Sequence, residues 1–110
     1  MSDTASIESR LAALKEKYII SLPEKVHTIS QLWHSSRQST SLSDNSLESC
    51  LHKLAGSAGM YEEDQLGELA RSIEINISTH SENLTDEVKS QIDSALSQLN
   101  EMVSELTSPL

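Results

Sequence analysis

From Val88 to Leu106 the apolar residues Val88, Ile92, Leu96, Leu99, Val103 and Leu106 recur at intervals of four and three, with Ala95 beside them. That is one face of an α-helix, in which about 3.6 residues complete a turn and side chains at i, i+3, i+4 and i+7 share a side. The same period runs through the rest of the chain. With 3 Gly, 2 Pro and no Phe among 110 residues, little interrupts it. An all-α protein is expected, and its length suits one domain, 1–110, with a modest single core.

In chain order, Asp3 to about Ser21 reads as a first helix, with Ile7, Leu11, Leu14 and Tyr18 on its stripe. Ser21-Leu22-Pro23-Glu24 then has the form of a helix restart: a serine cap, a proline in the first turn and an acid at the capping-box position. Leu22, Val26, Ile29 and Trp33 carry the stripe on to about Ser35, and the polar, serine-rich stretch to Asn45 reads as a loop. A further helix is expected from about Ser46 to Met60, with Leu47, Cys50, Leu51, Leu54 and Ala58 facing inward. The next runs from about Glu63 to His80 on Leu66, Leu69, Ala70, Ile73 and Ile77, and Thr85 is placed to cap the last. Short connections favour antiparallel neighbours. The expected architecture is an antiparallel up-down four-helix bundle with a kinked N-terminal helical segment packed across it. Each helix shows one stripe, so a monomer is expected.

Charge and composition exclude several classes. A net charge of −9 argues against general nucleic-acid binding, which needs a basic footprint. No run of about 18 apolar residues is present to span a membrane, and Met1 to Ser9 lacks the pattern of a signal peptide. Cys50 is the single cysteine, and its place on an apolar stripe suits a buried, reduced thiol and a cytoplasmic setting. His27 and His34 lie seven apart with no thiol or carboxylate pattern around them, so no metal is expected. No Gly-rich phosphate cradle occurs, so the chain is not a kinase by itself.

One stretch departs from ordinary helix chemistry: Leu51-His52-Lys53-Leu54-Ala55-Gly56-Ser57-Ala58-Gly59. Counting about 100° per residue from Leu47, His52 falls roughly 140° around the helix, Gly56 about 180° and Gly59 about 120°. The imidazole therefore points away from the core, on a face whose helical neighbours lack side chains. Glycine inside a helix costs roughly 0.5–1 kcal/mol against alanine. Two of them near a histidine have two readings: notches for helix packing, or clearance for another molecule's approach. His52 itself reads either as a solvated surface histidine or as a nucleophile, since a neutral imidazole nitrogen is competent near pH 7.

The stretch resembles the signature of histidine phosphotransfer (HPt) domains, carried by His52, Leu54, Gly56, Ser57 and Ala58. The resemblance departs from the family pattern at two positions. Ala55 stands where a lysine is frequent, although a branch with alanine there and a basic residue after the histidine, here Lys53, is familiar; Glu62 replaces the glycine usual ten residues after the histidine. The resemblance implies that His52 accepts a phosphoryl group, and that Glu74, 22 residues on, hydrogen-bonds the second ring nitrogen and orients the imidazole. An ordinary solvated glutamate is the alternative. Lys53 is a candidate to steady phosphoryl oxygens, or a solvated lysine. Ser57 is a candidate to cap or touch phosphate, or a mid-helix serine. Gly56 and Gly59, with Ala55 and Met60 as apolar contacts, are candidates for a docking face.

The implied partners are response-regulator receiver domains and a hybrid sensor kinase. The chain needs no cofactor of its own, the Mg²⁺ being expected on the receiver. Because the receiver pocket is acidic and this chain is too, short-range apolar packing is expected to dominate docking over long-range steering. The alternative function is a non-catalytic helical adaptor that binds signalling partners without phosphate.

Overall fold

The computed structural model describes residues 3–39, 42 and 45–108. Among them run four helices, α1 (Asp3–Ser36), α2 (Ser46–Met60), α3 (Asp64–His80) and α4 (Asp86–Thr107). α1 packs on α2 and α4, and α3 on the same two, so the helices close a ring in chain order. Turns at 61–63 and 81–85 send the chain back on itself, giving the up-down bundle that the short connections predict. No described helix is long and apolar enough to cross a membrane.

The stripes meet at the centre. Leu22, Val26, Ile29 and Trp33 of α1 join Leu51 and Leu54 of α2, Leu66 and Ile73 of α3, and Ile92 and Leu99 of α4 in one buried cluster. Cys50 is a free thiol, half-buried at its edge. Thr85 caps α4 as expected, its hydroxyl accepting from the Val88 N–H at 3.2 Å. At the same end of the bundle Trp33 Nε1 donates to Asp93 Oδ1 at 2.7 Å, and Arg37 grips both carboxylate oxygens of Asp93 at 3.2 and 2.7 Å. Partial burial pushes that carboxyl up, but the Trp33 and Arg37 hydrogen bonds and charge outweigh it and hold the group below the usual carboxylate value. The Leu42 N–H bonds Ser81 O at 2.7 Å and ties the α1–α2 connection to the α3–α4 turn. Positions 40, 41, 43 and 44 of the expected serine-rich loop lie outside the described residues.

α1 differs from expectation. No restart occurs at Ser21-Leu22-Pro23-Glu24, and one helix of 34 residues runs through Pro23. Instead of capping a new helix, Ser21 Oγ donates to its own preceding turn at Tyr18 O, 2.6 Å away. Proline strands the carbonyl four residues back, at Ile19, and that would be severe in a core. Pro23 is on the exposed face here, so the stranded group looks toward water while Leu22 and Val26 hold the helix to the bundle. The N-terminal segment is also not packed across the bundle. Ile7, Leu11 and Leu14 are 54%, 59% and 48% exposed, because α1 runs on past the α2–α3 turn, where Lys15 meets Glu63 at 3.5 Å. Over these turns the apolar stripe is left over by the fold, contrary to the premise that each stripe is consumed.

The α2–α3 turn explains one departure from the family pattern. The Glu63 N–H bonds Ala58 O at 2.8 Å and the Glu62 N–H bonds Gly59 O at 3.2 Å, the paired bonds of a Schellman ending. That ending needs a left-handed residue, and Glu62 takes it, with φ +64°. A side chain there is strained by roughly 1 kcal/mol relative to glycine. Glu62→Gly is therefore expected to stabilise the domain by about 1 kcal/mol and raise Tm by roughly 4 °C or more in a circular-dichroism melt. An unchanged Tm would mean that the Glu62 side chain makes up the strain elsewhere.

Candidate functional site

His52 sits in the middle of α2, and the elements that place it are α2 and α3, the most closely packed pair in the bundle. Their approach depends on Gly67. A Cβ there would stand 3.2 Å from the Ala55 carbonyl oxygen, 3.5 Å from Ala58 Cβ and 3.6 Å from the Gly59 nitrogen. With hydrogen in its place, α3 lies against the backbone of α2 and brings Glu74 level with His52.

The result is a hydrogen bond of 3.0 Å between His52 Nδ1 and Glu74 Oε2. The imidazole is 79% exposed and the carboxylate 22%, so a half-sheltered acid holds an open ring. An ionised carboxylate only accepts. Nδ1 is therefore the N–H, and Nε2 carries the lone pair, with no partner among the described residues. This is the arrangement in which a second group fixes the tautomer and leaves one nitrogen free to attack. The other described histidines differ. His80 Nδ1 bonds the Asn76 carbonyl of its own helix at 3.0 Å, and neither His27 nor His34 is hydrogen-bonded to a carboxylate.

A depression of about 370 Å³ runs beside the ring, lined by His52, Ala55, Gly56, Gly59, Arg71 and Glu74 among others. A Cβ added to Gly56 or Gly59 would meet nothing within 4 Å. Packing inside this chain therefore requires neither glycine, which removes the helix-notch reading for both. Met60 is exposed at the end of the same helix.

Two candidates face elsewhere. Lys53 lines the groove between α1 and α2 with Lys25, Thr28 and Cys50, and His52 is not part of that groove. Ser57 Oγ is 2.8 Å from Tyr18 Oη and donates to Leu54 O at 3.2 Å, so its hydroxyl is committed to joining α2 to α1. Tyr18 is also stacked on Tyr61, with ring centroids 4.5 Å apart. Burial raises the Tyr18 phenol above its ordinary pKa against the lowering effect of the Ser57 bond, with Glu63 and Tyr61 adding to the rise. Tyr18 acts here as a neutral hydroxyl.

Two residues of the site escaped sequence reasoning, Gly67 and Arg71. Arg71 precedes Glu74 by three residues, and that spacing alone puts the two on one face of α3. Gly67 lies beside the α3 stripe, where a missing side chain is a signal of close helix approach. No group of three or more His, Cys, Asp or Glu among the described residues is placed to hold a metal ion.

The family model described as Hpt domain matches residues 13–107. No curated protein and no solved structure is significantly similar to the chain.

Proposed function

Because the chain belongs to the Hpt domain family, whose members act in histidine phosphotransfer between signalling domains, we propose that it relays a phosphoryl group through His52 between aspartates of response-regulator receiver domains. The observation that carries this reading is the 3.0 Å bond from Glu74 to Nδ1 of an exposed histidine whose Nε2 is free.

In the forward step the Nε2 lone pair attacks the phosphorus of a receiver's aspartyl phosphate. An N–P bond forms, the acyl O–P bond breaks, and its electron pair stays on the departing aspartate carboxylate. The proton remains on Nδ1, where Glu74 offsets the positive charge that the ring acquires. The reverse sequence delivers the group to a second receiver. Phosphoryl transfer is carried mainly by positioning and electrostatics, so little chemistry is asked of this chain beyond an oriented nucleophile. The receiver brings the acidic pocket and its Mg²⁺. The open face over Gly56 and Gly59 gives room for it, with Ala55 and Met60 as apolar contacts.

The test is incubation with a panel of receivers carrying labelled aspartyl phosphate. Label that moves to this chain and is acid-labile but base-stable is a phosphoramidate and supports the reading. Absence of transfer from every receiver, with the helical spectrum intact, would favour the non-catalytic adaptor. A base-labile label would be an acyl phosphate, and would move the chemistry from histidine to a carboxylate.

A further inference from the structure

Where the phosphoryl charge goes once it leaves the receiver is a separate question. Phosphohistidine carries a nearly dianionic group, yet the chain has a net charge of −9, and Asp64, Glu68 and Glu74 all line the depression beside His52. The site is mid-helix, so no backbone N–H groups point at it. A cation of this chain beside the ring would offset that like charge.

Among the described residues one cation is so placed. Arg71 lines the large depression and also the smaller one on the other side of Glu74, and His52 belongs to both. Lys53, the nearest basic residue in sequence, lies in the α1–α2 groove instead. Arg71 is exposed and has no ion pair or hydrogen bond among the described residues, so its guanidinium is available to a ligand. Its flat array of donors matches phosphoryl oxygens in pairs, and it stays charged at any relevant pH.

We propose that Arg71 is the phosphoryl-binding residue of this site, reaching from α3 to the oxygens of the group carried on His52 Nε2. Glu74 and Arg71, one turn apart on α3, then divide the work: the carboxylate orients the ring and the guanidinium holds what the ring carries. The assignment rests on His52 being the phosphoacceptor.

Phosphoramidate, a small donor, loads the histidine without a receiver. The full chain and its R71A, R71K and R71Q variants are treated with it, and the phosphohistidine is followed by ³¹P NMR across pH. A cation beside the group favours the dianion, so R71A is expected to raise the phosphoryl pKa by about half a unit. R71Q should do the same, and R71K should stay near wild type. Transfer from a phosphorylated receiver should fall about tenfold in R71A. It should recover in part in the double variant R71A/A55K, because Ala55 lines the same depression and a lysine there returns the charge from α2. A purely structural role for Arg71 would leave the phosphoryl pKa unmoved. Wild type that takes the group while R71A matches it in both pKa and rate overturns this assignment alone. Wild type that takes no group even from phosphoramidate overturns it together with the reading of His52.

Discussion

Replacing His52 with glutamine is expected to abolish labelling by any phosphorylated receiver while leaving the fold untouched. The imidazole is 79% exposed and contributes nothing to the core, so the change in stability should stay within roughly 0.5 kcal/mol. Glutamine has a good helix propensity, and its amide N–H can still donate to Glu74. What it lacks is a basic nitrogen lone pair. The amide nitrogen's electrons are delocalised into the carbonyl, so no N–P bond forms. Loss of label with an unchanged melting curve would therefore isolate the nucleophile from the scaffold. Label retained on H52Q would assign the chemistry to another residue. His80, whose Nδ1 donates to the Asn76 carbonyl and so keeps the lone pair on Nε2, would then be the next histidine to replace.

The second large effect concerns a residue that touches no phosphate. Gly67→Val is expected to destabilise the bundle by about 2–3 kcal/mol, lowering Tm by roughly 10 °C. A Cβ at position 67 starts 3.2 Å from the Ala55 carbonyl oxygen, and the backbone of α2 cannot rotate away as a side chain could. The two methyl groups of valine extend the overlap toward Ala58 and Gly59, so α3 must move outward. That motion lengthens the 3.0 Å His52–Glu74 bond, and phosphotransfer should slow by about tenfold even in the fraction that remains folded. Gly67→Ala is the control. Its single methyl needs a shift of only a few tenths of an ångström, and the gain in helix propensity of about 1 kcal/mol works against that cost. A urea midpoint for G67V equal to that of wild type would show that the helices separate without penalty, and the account of how Glu74 reaches His52 would fall.

Much of the architecture was legible in the sequence because it is set by local period. The stripes from Leu47 to Ala58, Leu66 to Ile77 and Val88 to Leu106 each begin and end within three residues of the bounds of α2, α3 and α4, and Thr85 marks a cap. At Pro23 the local signal is ambiguous, because a start signal says what a helix beginning can tolerate. It does not say whether the preceding helix has ended. Which outcome holds depends on whether the proline faces water or the core, and the packing of Leu22 and Val26 decides that. The same packing leaves Ile7, Leu11 and Leu14 without cover, since their stripe continues beyond the length of α2 and α3.

At the site, the sequence by itself determined that His52, Gly56 and Gly59 share a face away from the core, because rotation about one helix axis follows from residue number. Rotation of one helix against its neighbour does not follow from it. The tertiary structure alone sends Lys53 and Ser57 toward α1, brings Arg71 beside His52, and sets Glu74 at 3.0 Å from the imidazole. Those relations depend on how closely two helices approach and at what angle. In this bundle the approach is fixed by a side chain that is absent, at Gly67.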